Sequence, residues 1–381
     1  MEKVKAFLKK DLMLTVSAAA AIAALFITPP SRRLLNDIDW RTLGTLLMML
    51  CVLEGFKQEN VLRPLVSLAS KLKRMTSVSL FLIFGVFFTS MFVTNDVSLI
   101  IFVPLTIMIF RSCGKERYIL PVISMENIAA VRGSLLMPFG SPQNLFLYGQ
   151  SGTSTKNFIL HMLPLCLISG VLLIVFVLVL YRKDLNEKIE IDTSKTSSEW
   201  QPEGRVRRIV YVLLFMLVIG VIVTRTGYWY IALATVLLVI AAVDRGLFKK
   251  VDLVLLVTFL CFFIFSSSIA ANKGIAGLLE KAVAGHEYWW AIGLSQLISN
   301  VPATIVLYPF TENFAGLIYG ADTAGLVSLI GSLASVINYR IYVREYPGQG
   351  GRFIKVFTLV SWAFFAIVVI PGYCLSSWRF F

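Results

Sequence analysis

Apolar residues run in long uncharged blocks along this chain: Leu12–Thr28, Ser77–Met91, Val97–Phe110, Phe158–Tyr181, Ile209–Thr224 and Leu253–Ala271. About 18 or more such residues span roughly 30 Å of hydrocarbon as a helix. The pattern predicts membrane helices at 12–28, 40–56, 118–137, 157–181, 207–224, 228–243, 252–271, 324–341 and 354–375. Two further apolar stretches are interrupted by polar residues. Ser77–Phe110 is broken by Thr94-Asn95-Asp96, and Tyr288–Phe310 by Ser299-Asn300-Val301-Pro302. Each arm has about 10 to 16 residues, short of a span, which predicts re-entrant hairpins rather than crossings.

The pattern also repeats. Asp39-Trp40 and Asp252-Leu253 each open an apolar helix. A basic or amphipathic stretch follows (57–76 and 273–287), then an Asn-centred hairpin, then a helix carrying Gly133-Ser134-Leu135 or Gly331-Ser332-Leu333. Residues 1–181 form the first repeat: two scaffold helices, hairpin 77–110, broken helix 118–150 and helix 157–181. Residues 182–208 are a cytoplasmic linker and 209–224 a connecting helix. Residues 228–381 form the second repeat, with hairpin 288–310, broken helix 324–341 and helix 354–375. Four crossings per unit and one connecting helix make the second unit inverted. The expected class is an all-α polytopic membrane protein, with about nine transmembrane helices and two re-entrant hairpins in two inverted repeats. Such repeats with matched interrupted helices point to a secondary transporter and to its binding site.

Composition agrees: 57% of the 381 residues are apolar and 15% charged, where soluble domains are nearer half and a quarter. The net charge of +13 lies in short loops between apolar blocks, so it orients the chain in a bilayer and implies no nucleic acid. With the N-terminus cytoplasmic and the C-terminus outside, the cytoplasmic segments hold 26 Lys+Arg and the outer ones eight. Counting either hairpin as a crossing would put later basic loops outside. The linker 182–208 carries 13 charges and is a solvated loop. The stretch Leu12–Thr28 is long for a signal peptide and reads as the first membrane helix. Five scattered cysteines and two histidines supply no zinc or haem ligand set. No cofactor is expected beyond a coupling Na+ or H+.

Four interruptions carry the candidate chemistry: Thr94-Asn95-Asp96; Pro138-Phe139-Gly140-Ser141-Pro142-Gln143-Asn144, with Gly133-Ser134 ahead of it as further candidates; Ser299-Asn300-Val301-Pro302; and Gly331-Ser332 running to Asn338. Pro and Gly free backbone groups that lipid cannot satisfy, so such segments must line protein or a cavity. Free carbonyls suit a small cation, and helix N-termini suit an anion. Asn, Ser and Thr add neutral oxygen ligands.

Val93-Thr94-Asn95-Asp96 with Pro104, the run Gly133–Asn144 and Ser299-Asn300-Val301-Pro302 resemble the ion transporter superfamily. That group holds arsenite/antimonite permeases, citrate and divalent-anion transporters, and sodium/proton antiporters. The likeness is strongest to its small bacterial permeases with a citrate-transporter-like domain, and it covers nearly the whole chain. It implies an often dimeric scaffold in a bilayer and a transport domain enclosing ion and small anion. Secondary transport of an inorganic oxyanion or carboxylate, coupled to Na+ or H+, is the expected function. A sodium/proton antiporter or an anion channel of the same fold is the alternative. One departure is Val131-Arg132 before Gly133, where the family has Asn and a small residue.

Lone charges in membrane helices suggest function. Asp96 either binds a cation or proton or caps the following helix. Arg132 either pairs with Asp96, contacts the anion, or serves the scaffold. Glu126 is expected near the cytoplasmic side facing protein; His161 and His286 are expected at membrane boundaries, and Tyr288-Trp289-Trp290 as an interfacial anchor. The rival class is an intramembrane serine protease on Gly149-Gln150-Ser151-Gly152. Placing Ser151 in a loop, with neither histidine mid-membrane, argues against an enzyme.

Overall fold

The computed structural model describes residues 12–28, 34, 36, 38–59, 61, 72–183 and 205–378. The basic stretch 57–76 and the linker 182–208 fall mostly outside these. The regular elements among the described residues are sixteen helices and three short 3-10 turns. The first half holds α1 (Leu12–Ile27), α2 (Trp40–Gln58), α3 (Met75–Val93), α4 (Asn95–Ser112), α5 (Ile119–Ser134), α6 (Pro142–Ser151) and α7 (Thr155–Leu180). Next come α8 (Arg205–Thr224) and α9 (Trp229–Val243). The second half holds α10 (Leu253–Ala271), α11 (Lys273–Val283), α12 (Glu287–Ile298), α13 (Asn300–Leu307), α14 (Phe314–Ala324), α15 (Leu333–Glu345) and α16 (Gly350–Ser376). Six of them (α3, α4, α7, α8, α10 and α16) are long and apolar enough to cross a bilayer. The chain is an all-α polytopic membrane protein.

Local sequence sets the helix starts. Asp39 caps α2 by accepting from Thr42 N (2.9 Å), and Asp252 caps α10 by accepting from Leu255 N (3.2 Å). Their backbone angles nearly coincide, φ −77°, ψ 80° and φ −76°, ψ 80°. An acceptor at this position satisfies an amide that the helix leaves unpaired.

α5 is the centre of the packing. Every residue of it except Pro121 is buried, the polar Ser124, Glu126, Asn127, Arg132 and Ser134 included. It lies against α3, α4, α7, α15 and α16. α2 packs on α8, α9 and α10, and α10 packs on α1 and α13.

Two expectations about elements need correcting. The arms of the first hairpin are longer than 10–16 residues, because α3 has 19 and α4 has 18. They still fold back on each other: a Cβ on Gly85 would lie 2.5 Å from the Phe102 ring, whereas a continuous helix would separate these residues by about 25 Å. The second broken helix is not 324–341. Its first half is α14, which ends at Ala324, and its second half starts at Leu333. The short apolar run 314–324, following the polar Thr311-Glu312-Asn313, was too brief to register as part of a span.

Candidate functional site

The two hairpin tips have nearly the same backbone. Thr94 has φ 71°, ψ 157° and Ser299 has φ 72°, ψ 158°. A side chain at these angles is strained, typically by about 1–3 kcal/mol, and such strain clusters at functional sites. The next residue at each tip is asparagine. Asn95 Oδ1 accepts from Asp96 N (3.0 Å), and Asn300 Oδ1 accepts from Val301 N (3.0 Å). These bonds fix the amide orientation, since only the oxygen can accept. The tip asparagines therefore offer Nδ2 donors to their surroundings, where the residue types alone suggested neutral oxygens.

The broken helices match each other in a register the sequence pattern misassigned. Gly331-Ser332 corresponds to Gly140-Ser141, not to Gly133-Ser134. Ser141 and Ser332 precede α6 and α15 in extended conformation (φ −146° and −151°). Gly140 sits on the carbonyl of Ser134, the last residue of α5, and Gly331 on that of Ala324, the last residue of α14; a Cβ on either would lie 2.3 Å from that oxygen. Three residues into the second half, Asn144 Nδ2 donates to Ser134 O (3.1 Å) and Leu135 O (3.3 Å), and Ser335 Oγ donates to Gly325 O (3.4 Å). The repeated Gly-Ser-Leu triplet misled because Gly133 has a separate job: it lets α5 approach the Phe87 carbonyl of α3, 2.0 Å from where a Cβ would sit. Gly140→Ala and Gly331→Ala should each destabilise the protein by about 1–3 kcal/mol, as overpacking does. Thermal melting in detergent checks this, and unshifted midpoints would contradict the close approach.

The tips and the breaks meet around one small cavity, about 20 Å³ open to the centre of a water-sized sphere. That is room for about one water or ion. Asn95 and Asp96, Pro142 and Gln143, Ser299 to Pro302, and Ser332 line it. Thr94 stands beside it, its carbonyl accepting from Ser98 Oγ (3.0 Å). Ser134, Gly140, Ser141, Asn144 and Gly331 shape the breaks, and Gly133 the α5–α3 contact, rather than line the cavity. Asn338 lies elsewhere, donating to Ile123 O (2.6 Å) at the crossing of α15 and α5. The sequence reading missed the opposite wall, Leu255, Thr258 and Phe259 of α10. Its one polar signal is Thr258, a hydroxyl in an apolar helix.

Four helix N-termini point into this space: α4, α6, α13 and α15. At about half a positive charge each, they sum to about +2 against the single Asp96 carboxylate. Asp96 Oδ1 is buried and has no hydrogen-bond partner.

Arg132 does not pair with Asp96. It is fully buried and forms an ion pair with Asp322 of α14, with a second bond from Nη2 to Thr323 Oγ1 (3.3 Å). Each of the two charges sits two residues before the end of its half-helix. That matched placement brings them together where the two halves cross. The sequence signal for Asp322 was a lone acid in an apolar run.

A larger cavity of about 670 Å³ lies further along α6, α10 and α13, lined by Asp39, Gln150, Ser266, Glu280 and Tyr308 among others. Phe146 lines this cavity and packs on Phe263 and Tyr308 (ring centroids 5.3 and 5.2 Å). Ser151 belongs to the last turn of α6, not to a loop, and donates to Tyr148 O (3.1 Å). His161 is half-buried, its two ring nitrogens bonded to the Tyr319 hydroxyl (3.2 Å) and the Trp378 carbonyl, so neither is given to Ser151. Trp289 and Trp290 are exposed as expected of an anchor, while Tyr288 is buried and donates to Val369 O (2.9 Å).

The family model described as citrate transporter matches residues 2–331, a range that holds both tips and the first break and ends within the second. The inner membrane protein YbiR of Escherichia coli is 30% identical over 308 residues, 80% of either chain. A protein of Methanocaldococcus jannaschii named as an uncharacterized transporter is 29% identical over 343 residues, 90% of this chain and 91% of its own. A 46 kDa membrane protein of Mycobacterium leprae is 22% identical over 341 residues, 80% and 79% of the two chains.

Proposed function

Since the chain belongs to the citrate transporter family, we propose that it is a secondary active transporter of a small anion, an inorganic oxyanion or carboxylate, coupled to Na+ or H+. It is a membrane transporter and not an enzyme. The anion reading is carried by one observation: four helix N-termini and the Asn95 and Asn300 amides converge on a single cavity. Amide donors and positive helix ends favour negative charge. Asp96, with a free oxygen on the same wall, is the ligand for the coupling cation or proton.

The cavity is too small for a carboxylate such as citrate, so the tips must part to load it. This need for movement supports alternating access. So does the near-identity of the two tips, which is what two inverted repeats, 1–181 and 228–381, would give. Uptake of radiolabelled citrate, succinate, sulfate and arsenite into proteoliposomes tests the reading. Saturation and counterflow for at least one of them are expected, and unsaturable flux without counterflow would mean a channel.

The proposed orientation places the N-terminus in the cytoplasm, the C-terminus outside, and the hairpins entering from opposite faces. Cysteines replacing Lys73 and Lys115 should then label from the same, cytoplasmic side. Labelling from opposite sides would make the first hairpin a crossing.

A further inference from the structure

Glu126 is a buried carboxyl that the anion site does not use. It is 0% exposed, in the middle of α5. Oε1 accepts from the Thr106 hydroxyl of α4, and Oε2 has no hydrogen-bond partner. No salt bridge reaches it among the described residues. α3 has no ionisable side chain in its 19 residues. On α4, Asp96 is ten residues from Thr106, and Arg111 pairs with Glu345 (3.2 Å). Arg132, on α5 itself, is committed to Asp322. On α7, His161 is bound to Tyr319, and Cys166 is a buried thiol. On α15 and α16, Tyr342 donates to Gln349 (3.1 Å), while Arg340, Arg344, Arg352 and Lys355 are exposed.

Buried acceptors on α5 and α15 already go without donors. Asn338 Nδ2 is spent on Ile123 O, one turn before Glu126, and leaves Oδ1 without a donor; Asn127 Oδ1 has none either. A bare carboxylate would add another unmatched acceptor and an uncompensated charge. A carboxylic acid brings a hydrogen and no charge.

We propose that Glu126 is the proton-carrying site of this transporter: it takes up a proton when the α4–α5 contact opens to one side, holds it while the contact is closed, and gives it up when the contact opens to the other. The inference rests on the transporter reading above and adds H+ as a coupling ion held at Glu126, apart from the cation ligand Asp96 at the cavity. Loading adds one proton to the carboxylate, and discharge returns it to water on the other side. Neither oxygen meets solvent in this state, so the proton cannot exchange without movement of α4 against α5. The same movement is felt at the cavity, because α4 begins at Asn95 and α5 ends at the break before α6. An intramembrane acid with no structural counter-charge is a functional feature by default.

The test uses the purified full chain. Infrared spectra at neutral pH should contain a carboxylic-acid C=O band that is lost in Glu126→Gln. Radiolabelled citrate counterflow in proteoliposomes should vary with pH in the wild type and become pH-insensitive in Glu126→Gln. An unchanged band, or an unchanged pH profile, overturns the proposal. If Glu126→Gln fails to fold, Glu126→Asp replaces it and should move the band, and an unmoved band again overturns the assignment. Absence of citrate counterflow in the wild type would count against citrate as substrate, and the infrared difference would then decide the proton site alone.

Discussion

Asn95→Ala and Asn300→Ala should each reduce transport about 10- to 150-fold. This is the loss expected when a hydrogen bond to a charged ligand, worth about 1.5–3 kcal/mol, is removed. Each Asn lines the cavity, holds its oxygen on the next backbone amide and keeps Nδ2 as a donor, so alanine removes both the donor and the bond that sets the tip. The fold should change far less. The tips line a cavity rather than fill the core, and loss of a local cap costs about 1 kcal/mol. Uptake rates per folded molecule, with melting midpoints measured alongside, check the prediction. Normal rates per molecule with a large loss of stability would make the asparagines structural and remove them from the site.

The largest stability effect is expected at Arg132–Asp322. Both side chains are buried, at 0% and 2% exposure. Asp322→Ala leaves an uncompensated guanidinium, which costs about 3–5 kcal/mol. Total stabilities of domains are only about 5–15 kcal/mol, so the single variant should lose much of its folded yield. Replacing both charges, as in Arg132→Met with Asp322→Leu, should recover most of the loss, because a buried ion pair is often no better than packed apolar groups. Melting of the single and double variants measures this directly. Equal midpoints for Asp322→Ala and wild type would contradict the pairing.

Much of the architecture could be read from the sequence because the membrane imposes a strong pattern. Uncharged blocks marked α1, α3, α4, α7, α8 and α10, the apolar stretch 354–375 marked α16, and polar residues inside such stretches marked both tips. What escaped was geometry that depends on contacts across the chain. The triplets Gly133-Ser134-Leu135 and Gly331-Ser332-Leu333 look alike as text, yet only Gly140 and Gly331 occupy equivalent positions against a helix-end carbonyl. Asp322 lies 190 residues from Arg132, a separation no local spacing rule covers. The tip asparagines were identified by type, but the direction of their amides became clear only once Asp96 N and Val301 N were seen to donate to them. The α10 wall was hidden because an apolar lining residue such as Leu255 or Phe259 looks like any other in a membrane helix.

The central claim is that an anion binds between the two tips, and binding to the purified protein tests it most directly. Citrate, succinate, sulfate and arsenite should be screened by thermal shift on wild type and on the Asn95→Ala/Asn300→Ala double variant. A ligand at 100 times its dissociation constant stabilises the native state by about 2.7 kcal/mol. At least one anion should raise the wild-type midpoint and leave the double variant unmoved. No shift with any of the four anions, or a shift that persists in the double variant, would contradict the account.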